Sequence, residues 1–351
     1  MKNAFSYLKL ALGILVLGLF SNLVFAQERQ KLFKSEEPVS MKMSLSIKEI
    51  KAETNDSTFL DAEIQVETVP GTWQTFPVEV RRRGNFRLNE CFYPPMRIKL
   101  TKRDAEGSLF QGNRNLKVVF PCSKGKNADS YVGKEFLAYK LYEKVTEYHF
   151  RTRLIRVKFT NLDDKKSEEV ELLGFLIEDN DEVAERFDGE IIEGKKIAPL
   201  LMQDLPTLRH DFFQMMIGNT DWSTLFQHNQ EVMALDQRTI IPMAYDFDMT
   251  GLVNPPYAQV SNLVELESVR ERLYRGFCRD EVLMQQVRQE FLEKEAEILE
   301  EVDLQSNYYS EADAKALKSY LKEFFDVLKS DKVFSDKILK ACRVVDGSVM
   351  K

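Results

Sequence analysis

GNTDWSTLFQHN at 218–229 and PMAYDFDMTGL at 242–252 decide how this chain is read. Between them lie two short apolar runs, 232–235 and 240–244, joined through Asp236, Gln237 and Arg238, which is the pattern of a β-hairpin. A helical stretch over 205–217 precedes the first string and stops at Gly218, a residue suited to the left-handed position that ends helices. The order helix, loop, hairpin, loop places Asp221 and Asn229 at the start of the hairpin and Asp246 and Asp248 at its return. Each half also has a purely structural reading. Gly-Asn ends a helix and opens an Asx turn, and two acids flanking Phe247 suit a strand end whose phenylalanine enters the core. A shared site for a divalent ion explains both strings at once, and hard oxygen donors suit Mg²⁺ or Mn²⁺.

Upstream, residues 39–120 read as short strands broken by turns. MKMSLSI at 41–47, the runs 59–66 and 76–80, MRIKL at 96–100 and LKVVF at 116–120 alternate as an antiparallel set. A helix follows over 131–145, then strands near 153–159 and 170–177. Downstream of a loop around 189–199, amphipathic helices are expected over 281–302, 311–328 and 333–341, with Val282, Leu283, Val287, Phe291, Ile298 and Leu299 on one buried stripe. The expectation is an α+β chain in two lobes. Residues 27–180 form a β-rich first lobe with one long helix, residues 181–351 a helical second lobe carrying the hairpin, and a polar cleft separates them.

Residues 1–26 have the form of a secretory signal peptide, with Lys2 and Lys9 before and within an apolar run and Val24-Phe25-Ala26 ahead of the polar Gln27. An uncleaved anchor is the alternative. Cleavage would remove two lysines and no acids, moving the formal charge from −7 to −9. So acidic a protein is ill suited to sequence-independent nucleic-acid binding, which rests on neutralising phosphates. The remaining chain shows no second run long enough to span a membrane, and the expected destination is the periplasm or the exterior. Four cysteines in an exported chain allow disulfides, and Cys91 with Cys122 is the favoured pair because both sit at edges of adjacent predicted strands. Their spacing matches no zinc ligand set.

At GNTD, HN and AYD (218–221, 228–229 and 244–246) the chain resembles the catalytic loop and metal-binding strand of HipA-type kinases. The leader, RGN at 83–85, GFLIE at 174–178 and DFD at 246–248 together resemble the CotH kinase family of spore coats. The likeness runs in order over about 78–251, in stretches of a few residues each. It implies a two-lobed protein-kinase-like fold and transfer of a phosphoryl group from ATP, with Mg²⁺ or Mn²⁺, to a hydroxyl acceptor. By the same resemblance Asp221 is the base, Asn229, Asp246 and Asp248 the metal ligands, and Lys99 the phosphate lysine oriented by Glu135. Arg83, Gly84 and Asn85 would lie over the phosphates. Lys117 and Glu143 compete with Lys99 and Glu135. The basic run Arg81 to Arg83 with Arg87 reads either as a solvated strand face or as a phosphate clamp. Two departures stand out: Asn229 follows Asp221 by eight residues where five are usual, and no Gly-rich loop occurs. They keep open a catalytically inactive binding protein as the alternative to a kinase.

Overall fold

The computed structural model describes residues 31–84, 86–262 and 264–345, so the leader and Asn85 lie outside the described residues. The apolar alternation of the first half folds into β1 (Val39–Leu45), β2 (Leu60–Val69), β3 (Thr72–Arg82), β4 (Met96–Lys99), β5 (Asn115–Val119), β6 (Thr152–Asn161) and β7 (Val170–Ile177). These seven strands close into a barrel in the order β1-β2-β3-β4-β5-β7-β6. Closure is made by β6 lying parallel to β1, from Val39 opposite Ile155 to Leu45 opposite Asn161, while the other pairs are antiparallel. Every second residue points inward, and Met41, Ile64, Phe76, Val80, Ile98, Val118 and Val157 fill the interior.

The expected two-lobed kinase-like fold is therefore corrected. The chain is α+β, but its main sheet has no open first lobe, because the strands complete a barrel through a parallel pairing of segments more than a hundred residues apart. The long helix α1 (Ala128–Val145) lies against the outer face of β5, β6 and β7. It belongs to the same hydrophobic cluster as the helices downstream: Val132, Phe136, Leu141 and Val145 pack with Phe175 and Leu154 on the barrel side and with Phe213, Phe247 and Val302 on the other. Gly133 lets this helix approach the main chain of Tyr308, where an added Cβ would lie 2.6 Å from a carbonyl oxygen.

The helical part comprises α2 (Asn180–Arg186), α3 (Asp204–Met216), α4 (Glu281–Glu293), α5 (Glu295–Leu304) and α6 (Glu311–Lys329), and it carries the hairpin of β9 (Gln230–Ala234) and β10 (Ile240–Ala244), with the two-residue β8 (Glu190–Ile191) on its edge. Ser310 begins α6 with a reciprocal capping box to Asp313. The sequence expectation of one helix over 281–302 is interrupted at Lys294. Both cysteine pairs are closed, Cys91 with Cys122 and Cys278 with Cys342. Among the described residues no helix is long and apolar enough to cross a membrane.

Candidate functional site

α3 ends where the sequence says it should. Gly218 takes φ 66°, and a side chain there would collide with the Tyr320 hydroxyl. Asn219 then accepts from the Asp221 N–H at 2.9 Å, closing the Asx turn. The turn does not compete with a functional reading, because it is what presents Asp221. The three extra residues before Asn229 are absorbed in a tight loop, with Ser223 and His228 exchanging backbone hydrogen bonds of 3.0 and 3.1 Å. Buried Trp222 anchors its base.

The hairpin register sets Gln230 opposite Ala244, so Asn229 and Tyr245 meet just beyond the paired strands, where the Tyr245 N–H reaches the Asn229 carbonyl at 3.4 Å. The segment after β10 is tied back to the end of α3: the Gly251 N–H donates to Gly218 O at 3.1 Å and the Leu252 N–H to Ile217 O at 2.9 Å. Both sequence strings thus lie side by side. Asn229 and Asp246 hold left-handed backbone conformations, φ 50° and 64°, which cost energy for a residue bearing a Cβ and cluster where function requires them.

Within this frame Asn229 Nδ2 donates to Asp221 O at 2.6 Å and to Asp221 Oδ2 at 3.2 Å. That fixes the amide and leaves Oδ1 as its acceptor. His228 Nε2 lies 3.4 Å from Asp221 Oδ2, and this contact holds the Asp221 carboxyl below the usual range and lifts the imidazole. Asp246 acts electrostatically on the same imidazole. Its own N–H donates to the Tyr139 hydroxyl of α1 at 3.0 Å, and Ala244 donates to Tyr142 one turn on. Among the described residues the Asp246 carboxylate accepts no hydrogen bond and forms no ion pair.

Asp248 is placed differently from the sequence expectation. It is buried and lies 3.7 Å from Arg87 Nε, and the nearby Tyr257 favours its charged form. Arg87 in turn pairs with Glu135 at 3.1 Å and donates to Phe120 O at 2.8 Å. One guanidinium thus faces three acids, Glu135, Asp248 and Asp246. Burial, opposed by Arg87 and reinforced by the neighbouring acids, pushes Glu135 up to about 8 and Asp248 to about 6, while Arg87 is raised because the acids around it outweigh the opposing effect of its own burial. The cluster carries more negative potential than its arginine offsets, and it titrates as a unit.

The expected pairing of Glu135 with Lys99 is not formed. Lys99 points out from β4 to a half-exposed Glu79 at 2.7 Å, on the wall of an outer groove, because β2 and β3 and not the hairpin border that end of the strand. Glu143, the competing acid, pairs with Lys140 at 2.7 Å, away from the site. Lys117, the competing lysine, is the one the hairpin covers. It is buried against Phe150 and Tyr245, bonds Asn180 Oδ1 at 2.5 Å, and is brought down to about 8 by burial, partly offset by Glu231. Arg83 acts on Lys117, Glu135 and Tyr139, yet among the described residues its guanidinium has neither hydrogen bond nor ion pair. Gly84 follows in an exposed turn with φ 72°.

Sequence reasoning missed Arg87, Tyr139, Tyr257 and Arg275 as parts of this site. Arg87 was visible only as a member of a basic run, and buried tyrosines on an apolar helix face carry no signal of their own. Compared with models of known protein families and with curated protein sequences, the chain matches none of them.

Among the described residues no three His, Cys, Asp or Glu side chains converge as a metal-holding group. Asn229 Oδ1 and the Asp246 carboxylate are left without a hydrogen bond or ion pair among the described residues, on segments whose backbones meet at Tyr245. Mg²⁺ commonly takes one or two protein carboxylates and completes its shell from water and substrate phosphates.

Proposed function

We propose that this chain is an exported phosphotransferase of the CotH-like kind, moving a phosphoryl group from ATP to a hydroxyl acceptor. The observation that carries the reading is the amide of Asn229, locked by two hydrogen bonds to Asp221 with its oxygen left unpaired, while the backbone of Tyr245 bonds Asn229 and brings up Asp246, whose carboxylate has no hydrogen bond or ion pair among the described residues. Asn229 and Asp246 would hold Mg²⁺ or Mn²⁺, which when bound neutralises charge on the phosphate oxygens. Arg83, half-buried and without a carboxylate partner, suits an anionic ligand, and Lys117 on the same outer face of the barrel adds a second cation. Asp221, kept ionised by His228, can accept the proton of an attacking hydroxyl. Export is supported by the form of residues 1–26 and by two disulfides that an oxidising compartment preserves.

Thermal shift and radiolabel transfer test this. ATP with Mn²⁺ should raise the melting temperature of the wild type and leave Asp246→Ala unmoved. Label should pass from the γ-phosphate to an acceptor with the wild type and not with Asp221→Ala. Binding without transfer in the wild type would establish the inactive alternative. Neither binding nor transfer would remove the nucleotide from the account.

A further inference from the structure

Arg275 is 7% exposed and has no carboxylate in contact. Its Nη1 donates instead to two main-chain carbonyls, those of Thr220 and of Trp222, the latter at 3.0 Å. These are the residues immediately before and after Asp221. The guanidinium also stands 5.7 Å from the centre of the Trp222 ring and acts on Asp221 electrostatically. Burying a cation on carbonyls alone is costly, and Arg343 close by adds repulsion, so both lower its pKa to about 10.

Something must hold Arg275 there, and the covalent link nearest to it is Cys278–Cys342, three residues along. Around that bridge the Cys278 N–H donates to Arg343 O and the Arg343 N–H to Gly276 O, both at 2.9 Å. Arg343 then covers Phe277 at 4.1 Å and approaches Trp222 at 5.9 Å. The C-terminal segment thus locks the Arg275 strand against the Asp221 loop. Asp246, Arg87 and Glu135 depend on none of these contacts, since α1 and the Cys91–Cys122 bridge support that side, with Phe92 donating to Cys122 O at 2.7 Å.

We infer that Arg275 is the positioning residue for Asp221 and that the Cys278–Cys342 bridge licenses it, so loss of this bridge disengages the base while the side formed by Asp246, Arg87 and Glu135 stays in place. The inference rests on the phosphotransferase reading for its consequence in turnover, though not for the geometry it asserts. The chain has two tryptophans, so in a Trp73→Phe background the emission of Trp222 reports the loop directly. We expect Arg275→Met and the double variant Cys278→Ser with Cys342→Ser to shift that emission to the red. Both should lose about a hundredfold in kcat and, because Asp246 keeps its place, retain most of the ATP–Mn²⁺ melting shift, with only the part that depends on Asn229 weakened. Arg275→Lys, with the bridge intact, should recover part of both signals. Unchanged Trp222 emission in Arg275→Met would overturn the inference, as would loss of the melting shift in parallel with kcat. Should the double variant not fold, the two Arg275 variants decide. If the wild type neither binds ATP nor transfers label, the function is wrong and the emission of the variants still decides whether Arg275 holds the loop.

Discussion

The barrel interior and the seam between barrel and helices are made of opposite materials. Met41, Ile64, Phe76, Ile98 and Val118 fill the first with apolar side chains from every strand. Along the second, Arg87, Lys117, Glu135, Asp179 and Asp248 are all buried. Burial of ionisable groups opposes folding unless each finds a partner, so a chain that concentrates them on one surface needs a compensating source of stability. The barrel core supplies it, and the seam is left free to hold shifted and under-compensated charges, the mark of sites that bind or react.

The division is tested most severely at Asp246. Asp246→Asn should cut transfer about ten-thousandfold, roughly 5.5 kcal/mol in the transition state, as radiolabel incorporation would measure. The ligand-free variant should melt no lower than wild type at pH 8, because a like charge beside Glu135 and Asp248 is gone. A large stability loss instead would show that Asp246 belongs to the scaffold. In the barrel the pattern should reverse. Phe76→Ala, which leaves a hole beside Phe110, should cost about 3–5 kcal/mol in denaturant unfolding with kcat unaltered under folding conditions.

The two lysines give a finer discrimination. Lys117→Ala should raise KM for ATP about thirtyfold, the worth of a charge-assisted phosphate contact. Lys99→Ala should change neither KM nor stability beyond about 0.5 kcal/mol, as expected of an exposed pair. Equal effects from both would mean that the hairpin does not select between them.

A further discrimination is in pH. Glu135 is shifted up to about 8 by burial, so above the carboxylate value of the unfolded chain the native state binds more protons, and stability falls as pH rises toward 8. Buried His149, down at about 4, slopes the other way only below about 6.5, which leaves 6.5 to 8 as the window to measure. There the ligand-free protein should lose at most about 1.4 kcal/mol per pH unit from this group, and Glu135→Gln should remove that part. Glu182, raised to about 9 chiefly by burial, contributes in the same direction and survives the substitution.

Much of this was legible from local pattern. Period-two alternation located the strands, the helical stripe located α1, and Gly218 with Asn219 marked the end of α3 and its turn. The hairpin return brought Asp246 beside Asn229, as two strings at the ends of one short hairpin must. Cys91 and Cys122 pair as favoured, since they flank β4 and β5, which are neighbours in space as well as in sequence. Asp248 was misplaced because alternation about Phe247 says nothing of a buried arginine waiting on another element. Lys99 was preferred over Lys117 because both alternate with apolar neighbours on paired strands, and a strand pattern reveals which side chains leave the core without revealing what covers them.

The amino-acid sequence by itself determined most of where the chain is helical or extended and that Asp221, Asn229 and Asp246 share a neighbourhood, because these follow from interactions within one element or one hairpin, whereas Val282, expected on a buried stripe, is exposed. Only the tertiary structure decided that β6 returns to β1 to close a barrel, that α1 joins the helical core, and that Arg87 instead of Lys99 meets Glu135. Those contacts span tens to more than a hundred residues, and the free energy that selects them is burial summed over the whole fold, which no single stretch of sequence records.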